Sequence, residues 1–323
     1  MLSCQDTVQL QEPPAKIRFF SRAEAQELGQ TVRKRNVFAR HSWENNFYLG
    51  RIQSLADTSI IEVFLPGQPD DIIPQAQVIA DVLEKLVLLS TTFVTKRDKL
   101  QQQLAISRHR RSVFDITIGP GYQYLRSKSK REFEVNPVVL DEKLSKRFER
   151  CGFRQLGSVC ALSEGLSSRI RSAIDWLFES RLETALPAAI VKTAIALESM
   201  LIFDQSEPLA RSLSERIAFI VSQDPSTRQQ ISALFKKFYD ARSGVVHGSR
   251  KGPKGPSPGL LEGIDRITLL VCLTIGSNRN LWHSTQTLLD WCEGQKWGTP
   301  DTTVNIPFPS SLLSQAMDMC VGG

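Results

Sequence analysis

The chain has 323 residues, 41% of them hydrophobic and 23% charged, and a formal net charge of +6. This composition excludes wholesale disorder, and the length allows one large domain or two ordinary ones, each able to bury a core. The opening stretch MLSCQDTVQLQEPPAKIRFF lacks a basic start followed by an apolar run, so no secretory signal is expected.

The first half reads as mixed. NNFYLGRIQSL and SIIEVFLPG have strand texture, and the second closes on a Pro-Gly turn. IPQAQVIADVLEKLVLLSTTF then carries Pro74 near its start and Val78, Val82, Leu86 and Leu89 at helical spacing. The pattern allows this helix to run on through TKRDKLQQQLAISRHRR as one long element ending in basic residues. VFDITIGPGYQYLR next alternates Phe114, Ile116 and Ile118 on one face and turns at Gly119-Pro120-Gly121, a hairpin signature. That turn is too short to suggest a nucleotide loop.

Charge is concentrated here. Arg108, Arg110, Arg111, Arg126, Lys128, Lys130 and Arg131 face a single acid, Asp115, so this window's excess of six matches that of the whole chain. Such a cluster attracts polyanions, RNA or DNA first among them, although a solvated basic face has the same composition.

Beyond Cys160 strand signals vanish. Five helical patterns follow: LSSRIRSAIDWLFESRLE, ALPAAIVKTAIALESMLIF, EPLARSLSERIAFIVS, DPSTRQQISALFKKFYDARSGVVHG, and GLLEGIDRITLLVCLTIGSNRNLWHSTQTLLDW. Short loops between them predict a helical bundle. The second is the most apolar window, but Lys192 and Glu198 lie well inside it, which favours a buried helix over a membrane span. The predicted fold class is α+β. A mixed α/β domain occupies residues 1–160, a helical bundle residues 161–295, and a tail that drapes over the bundle or is partly mobile residues 296–323. The six cysteines (Cys4, Cys151, Cys160, Cys272, Cys292, Cys320) form no CxxC pair and are expected as reduced thiols of a cytoplasmic protein.

The fourth helix is the informative one. Asp224 and Pro225 form a strong start signal. On an ideal helix Leu234, Phe235, Phe238, Val245 and Val246 fall within roughly 60° of Ile231, and Arg242 falls roughly 20° from it, inside the apolar stripe. A guanidinium on a buried face is costly unless it is paired or bound to an anion. Gly244 and Gly248 weaken the helix around His247, which lies roughly 140° from Arg242. Glu198 and Arg216 also point inward from neighbouring helices, so a core ion pair between Arg242 and Glu198 and a polar cleft are both open readings. His247 at a helix C-terminus has a further reading, since His⁺ there complements the helix dipole.

ALESMLIFD, LSERIAFIVSQD and LFKKFYDARSGVVHG, in that order, resemble the HEPN superfamily and within it the ApeA-like HEPN branch. The signature is an arginine, four to six residues, and a histidine near a helix end, here Arg242, Ser243-Gly244-Val245-Val246 and His247. The resemblance runs from about Leu186 to Ser249, and loosely to about Trp291. It implies an all-α HEPN bundle that forms a homodimer through the motif helix. It also implies metal-independent RNA cleavage, with Arg242 and His247 of two copies meeting in one cleft and Glu198 supporting them. By the same resemblance the chain would be an antiphage defence or toxin effector, with residues 1–160 in a sensing or RNA-binding role and an antitoxin or a phage-derived trigger as further partner. Related motifs often have Asn, Asp or His where this chain has Ser243. Some HEPN domains bind RNA or a protein partner without cutting.

Competing motifs are poor. His41, His109 and His283 lack metal-ligand spacing, and there is no GxSxG or P-loop, so no cofactor or metal is expected. After His247, GSRKGPKGPSPG adds Arg250, Lys251 and Lys254, a flexible loop by composition whose charge suits RNA contact.

Overall fold

The computed structural model of the chain describes residues 74–93, 142–160, 165–204, 206–247, 257–296 and 303–321 with their side chains, together with 22–24, 26, 27, 30 and 63. The other strand and helix-end residues are described by backbone alone. Two compact units result: residues 1–81 with 102–146, and residues 82–101 with 147–323.

In the first unit β2 (Val8–Leu10), β3 (Ala15–Phe20) and β4 (Thr58–Val63) form an antiparallel ladder, and β1 (Ser3–Cys4) pairs parallel with β7 (Val139–Leu140). β5 (Val113–Gly119) and β6 (Tyr122–Lys128) are the expected hairpin, with Gly119 opposite Tyr122. β4 overlaps the strand expected at SIIEVFLPG, starting one residue before it, whereas NNFYLGRIQSL lies outside the described residues. The expected α+β class, with its mixed N-terminal domain, is corrected. Of the fully described residues 83% are helical and 1% strand, with no sheet among them, so the described part of the chain is mostly all-helical. Local alternation gives a segment strand tendency, but a sheet layer needs partners, and among the described residues each backbone ladder holds two or three short strands.

Helix α1 (Pro69–Ser90) contains Pro74 and buries Val82, Leu86 and Leu89 as its spacing predicts, but Val78 is exposed. Its α-helical span ends at Ser90, and the expected continuation through TKRDKLQQQLAISRHRR lies outside the described residues. The hydroxyls of Ser90, Thr91 and Thr92 donate to the carbonyls of Val87, Leu88 and Leu89, and residues Thr91–Phe93 tighten into a 3-10 turn. Two helices that the sequence reading missed follow, α2 (Glu142–Arg150) and α3 (Phe153–Cys160). Phe148 and Phe153 stack at 5.4 Å across the turn between them, where Gly152 takes a positive φ of 83°.

The second unit is then built from α4 (Gly165–Leu182), α5 (Leu186–Leu201), α6 (Leu209–Val221), α7 (Pro225–Val246), α8 (Pro258–Ser277), α9 (Thr285–Trp297) and α10 (Ser310–Gly322). The last of the five sequence patterns is thus two helices, α8 and α9, with α8 ending at its C-cap Asn278. Helix α8 is the hub: every residue from Leu260 to Gly276 is buried, as its nearly continuous apolar sequence requires, and it packs against α3, α4, α5, α6, α7 and α10. Ser257 accepts from the Leu260 N–H and Pro258 opens the first turn, so the start is fixed locally.

The tail does return over the bundle, but as a helix. Asn278 donates from Nδ2 to the Asn305 carbonyl at 2.7 Å and accepts the Asn305 N–H at Oδ1 at 2.8 Å. This two-way clamp turns the chain so that α10 lies along α8, burying Leu313, Ala316 and Cys320. Cys151, Cys160, Cys272, Cys292 and Cys320 are all free and buried, and burial pushes the Cys272, Cys292 and Cys320 thiols up to about 12. Cys4 lies in β1, described by backbone alone. Among the described residues no helix is long and apolar enough to cross a membrane.

The fit of α10 on α8 depends on Gly263. A Cβ there would lie 2.3 Å from both the Ala316 carbonyl oxygen and Cys320 Sγ. Gly263→Ala is therefore expected to cost about 1–3 kcal/mol in urea unfolding. Gly294→Ala, in open space on α9, is expected to gain about 0.5–1 kcal/mol.

Candidate functional site

Helix α7 starts as expected. Asp224 accepts from the Thr227 N–H and hydroxyl, both at 2.7 Å, and these bonds hold its carboxyl below the ordinary aspartate range. Its apolar stripe is buried at Ile231, Phe235 and Phe238, and the Phe235 and Phe238 rings meet edge-on at 6.4 Å. Toward the C-terminus the stripe opens. Val246 is 49% exposed, and Arg242 and Val245 are half-buried. Gly244 has nothing within 4 Å of where a Cβ would stand. His247 is the exposed C-cap residue, its N–H donating to the Ser243 carbonyl at 3.0 Å.

Arg242 meets Glu198. Its Nη2 lies 3.4 Å from Glu198 Oε1, and the two side chains are 24% and 22% exposed. The same oxygen accepts from the Tyr239 hydroxyl at 3.3 Å. Burial first, and the Glu198 charge second, raise the Tyr239 hydroxyl well above the ordinary tyrosine range. Arg242 Nε is buried without a hydrogen-bond partner. A guanidinium offers five N–H donors in a fork suited to bidentate pairing, and this one has a single long contact with a carboxylate. Unmet donor capacity near the surface is what an anionic ligand can use.

Glu198 lies in the last turn of α5, and two arginines fasten the end of that helix. Arg169 donates from Nη1 to the Ser199 and Ile202 carbonyls, each at 2.9 Å, and Arg216 Nη1 donates to the Leu201 carbonyl. Both guanidinium groups also pack on the Phe203 ring, at 4.8 and 5.5 Å from its centroid. These contacts satisfy carbonyls that a helix end leaves open. Arg216, which shares the inward tendency of Arg242 in sequence, is thus committed elsewhere and pairs with Glu207 at 2.7 Å.

The structure therefore brings Arg242 and Glu198 together, and adds Tyr239, which the sequence reading passed over. Its position three residues before Arg242, on the same helix face, was the available signal. His247 sits one residue beyond the helix that carries Arg242. Arg126 and Lys128 fall in β6, opposite Asp115 and Val113, described by backbone alone. Arg108, Arg110, Arg111, Lys130, Arg131, Arg250, Lys251 and Lys254 lie outside the described residues. Among the described residues no three His, Cys, Asp or Glu side chains come together in a metal-holding group.

A cleft of about 380 Å³ elsewhere in the same unit is lined by Glu149, Arg150, Gln155 and the Asn305–Pro309 stretch, and none of the candidate residues reaches it. No family model, curated protein or solved structure matches the chain.

Nothing within the described chain requires glycine at 244. Gly244→Ala is expected to stabilise the isolated chain by about 1 kcal/mol in urea unfolding, and a loss of stability would mean that an intrachain contact depends on it.

Proposed function

We propose that this chain is a metal-independent endoribonuclease of the HEPN type, acting as a homodimer through α7. Arg242 and His247 of two copies form the cleft. The observation that carries the reading is Arg242 itself: a half-buried guanidinium on an apolar stripe, with a buried Nε lacking a partner and one long contact to Glu198. A stripe that opens at Val245 and Val246 beside an uncrowded Gly244 suits close approach of a second α7.

In the proposed reaction His247 removes the proton of a ribose 2′-OH. The 2′-oxygen then bonds to the adjacent phosphorus while the bond from phosphorus to the 5′-oxygen breaks. A proton passes to the leaving 5′-oxygen, giving a 2′,3′-cyclic phosphate and a 5′-OH. Histidine titrates near neutrality and serves either proton transfer. Arginine stays charged and stabilises the negative charge that builds on the phosphoryl oxygens. The basic residues Arg108, Arg110, Arg111, Arg126, Lys128, Lys130 and Arg131, with Arg250, Lys251 and Lys254, would bind RNA backbone. The setting that follows is cytoplasmic, as an antiphage defence or toxin effector under an antitoxin or a phage-derived trigger.

One observation favours a second reading, a non-catalytic HEPN module that binds RNA or a protein partner. Arg242 already has an acidic neighbour within its own chain, Glu198.

Incubation of the purified protein with total RNA in EDTA separates the two. The ribonuclease reading expects cyclic-phosphate ends from wild type, and a fall of about a hundredfold or more with His247→Ala or Arg242→Ala, in the range for loss of one acid–base or charge-stabilising group. Uncut RNA of every class supports the binding module, and equal cleavage by His247→Ala removes that residue from the mechanism.

A further inference from the structure

Glu198 Oε1 takes two donors from α7, the Tyr239 hydroxyl at 3.3 Å and Arg242 Nη2 at 3.4 Å. The two residues are three apart, so one face of the helix presents both to the same oxygen. Tyr239 is 6% exposed and packs edge-on against Phe238 at 5.7 Å, so its ring is fixed. Its hydroxyl, raised well above the ordinary range, remains a donor.

A carboxylate facing a guanidinium with no other partner tends to close on it in a bidentate pair at about 2.7–2.9 Å. That would take two N–H donors and leave the arginine neutralised. Here the contact is single and long, and Arg242 Nε stays unpartnered. We propose that Tyr239 is a positioning residue of this site: by donating to Glu198 Oε1 it keeps the carboxylate from closing on Arg242 and leaves the guanidinium's other donors for a phosphate group. This rests on the reading of Arg242 as a phosphate-binding residue. Glu198 is then an internal competitor for Arg242, and Tyr239 sets how strongly it competes.

Arginine Nε–H resonances of the ¹⁵N-labelled full chain, titrated with inorganic phosphate, test this, with Arg242→Ala assigning the signal. Phosphate is expected to shift the Arg242 resonance in wild type. Tyr239→Phe should raise the half-saturating phosphate about fivefold, the worth of roughly one hydrogen bond. Adding Glu198→Gln to Tyr239→Phe should restore wild-type response or better, because the competitor has lost its charge. An unchanged or tighter response in Tyr239→Phe overturns the proposal, as does a wild-type resonance indifferent to phosphate. A double variant no better than Tyr239→Phe would make Tyr239 merely structural and overturn it too. The readout needs no RNA cleavage, so an intact phosphate response with uncut RNA would sink the ribonuclease reading and leave this role of Tyr239 standing.

Discussion

A helix that buries everything from Leu260 to Gly276 must also bury its own charges, and α8 carries Glu262, Asp265 and Arg266 inside that span. Arg181, with no exposed surface, supplies the missing charge from the end of α4. Its Nη1 lies 2.6 Å from Glu262 and 3.5 Å from Asp265, while Arg266 Nε reaches Glu262 at 3.2 Å. Thr193 of α5 donates to Asp265 at 2.7 Å and is itself bridged to Ser180 of α4. Two positive and two negative groups thus tie α4, α5 and α8 together. Removing one member of such a set leaves a buried charge uncompensated, at a cost of about 3–5 kcal/mol, so the relative positions of these helices are strongly specified. The consequence reaches the candidate site, because α5 also carries Glu198.

Three arginines show how one residue type divides between structure and chemistry. Arg181 faces two carboxylates and is sealed; the two of its nitrogens that lack a partner have no route to a ligand. Arg216 closes the end of α5 and pairs with Glu207. Arg242 alone of the three combines partial exposure, a long single contact and a glycine-opened helix end. Burial decides among them: an arginine that is sealed can only stabilise, and one at the rim can exchange its partner.

Much of this was legible in the sequence, and the limits are physical. The helices from α4 to α7, the Asp224 start and the anomaly of Arg242 follow from 3.6-residue periodicity and capping chemistry, which are local. The pairing of Arg242 with Glu198 was one of two readings left open, because side-chain reach across helices is not encoded in either helix alone. The break between α8 and α9 falls at the polar stretch SNRN and was missed because Leu281 and Trp282 resume the apolar pattern just beyond it; the C-cap residue Asn278 is clamped on Asn305, 27 residues away. Helix α10 was hidden behind Pro and Gly punctuation, although Leu313, Ala316 and Cys320 keep helical spacing. Strand texture in the first half was over-read into a domain class, because alternation predicts a strand but not the number of its partners.

The central claim is that the opened end of α7 meets the same helix of a second copy, so that each cleft draws on both chains. Mixing Arg242→Ala with His247→Ala, each expected to have lost most of its activity alone, under conditions that allow subunit exchange tests this most directly. A shared cleft predicts that the mixture regains measurable RNA cleavage, since the mixed pair holds one intact arginine and one intact histidine in the same site. A mixture as inactive as its components, with exchange verified, would contradict the account.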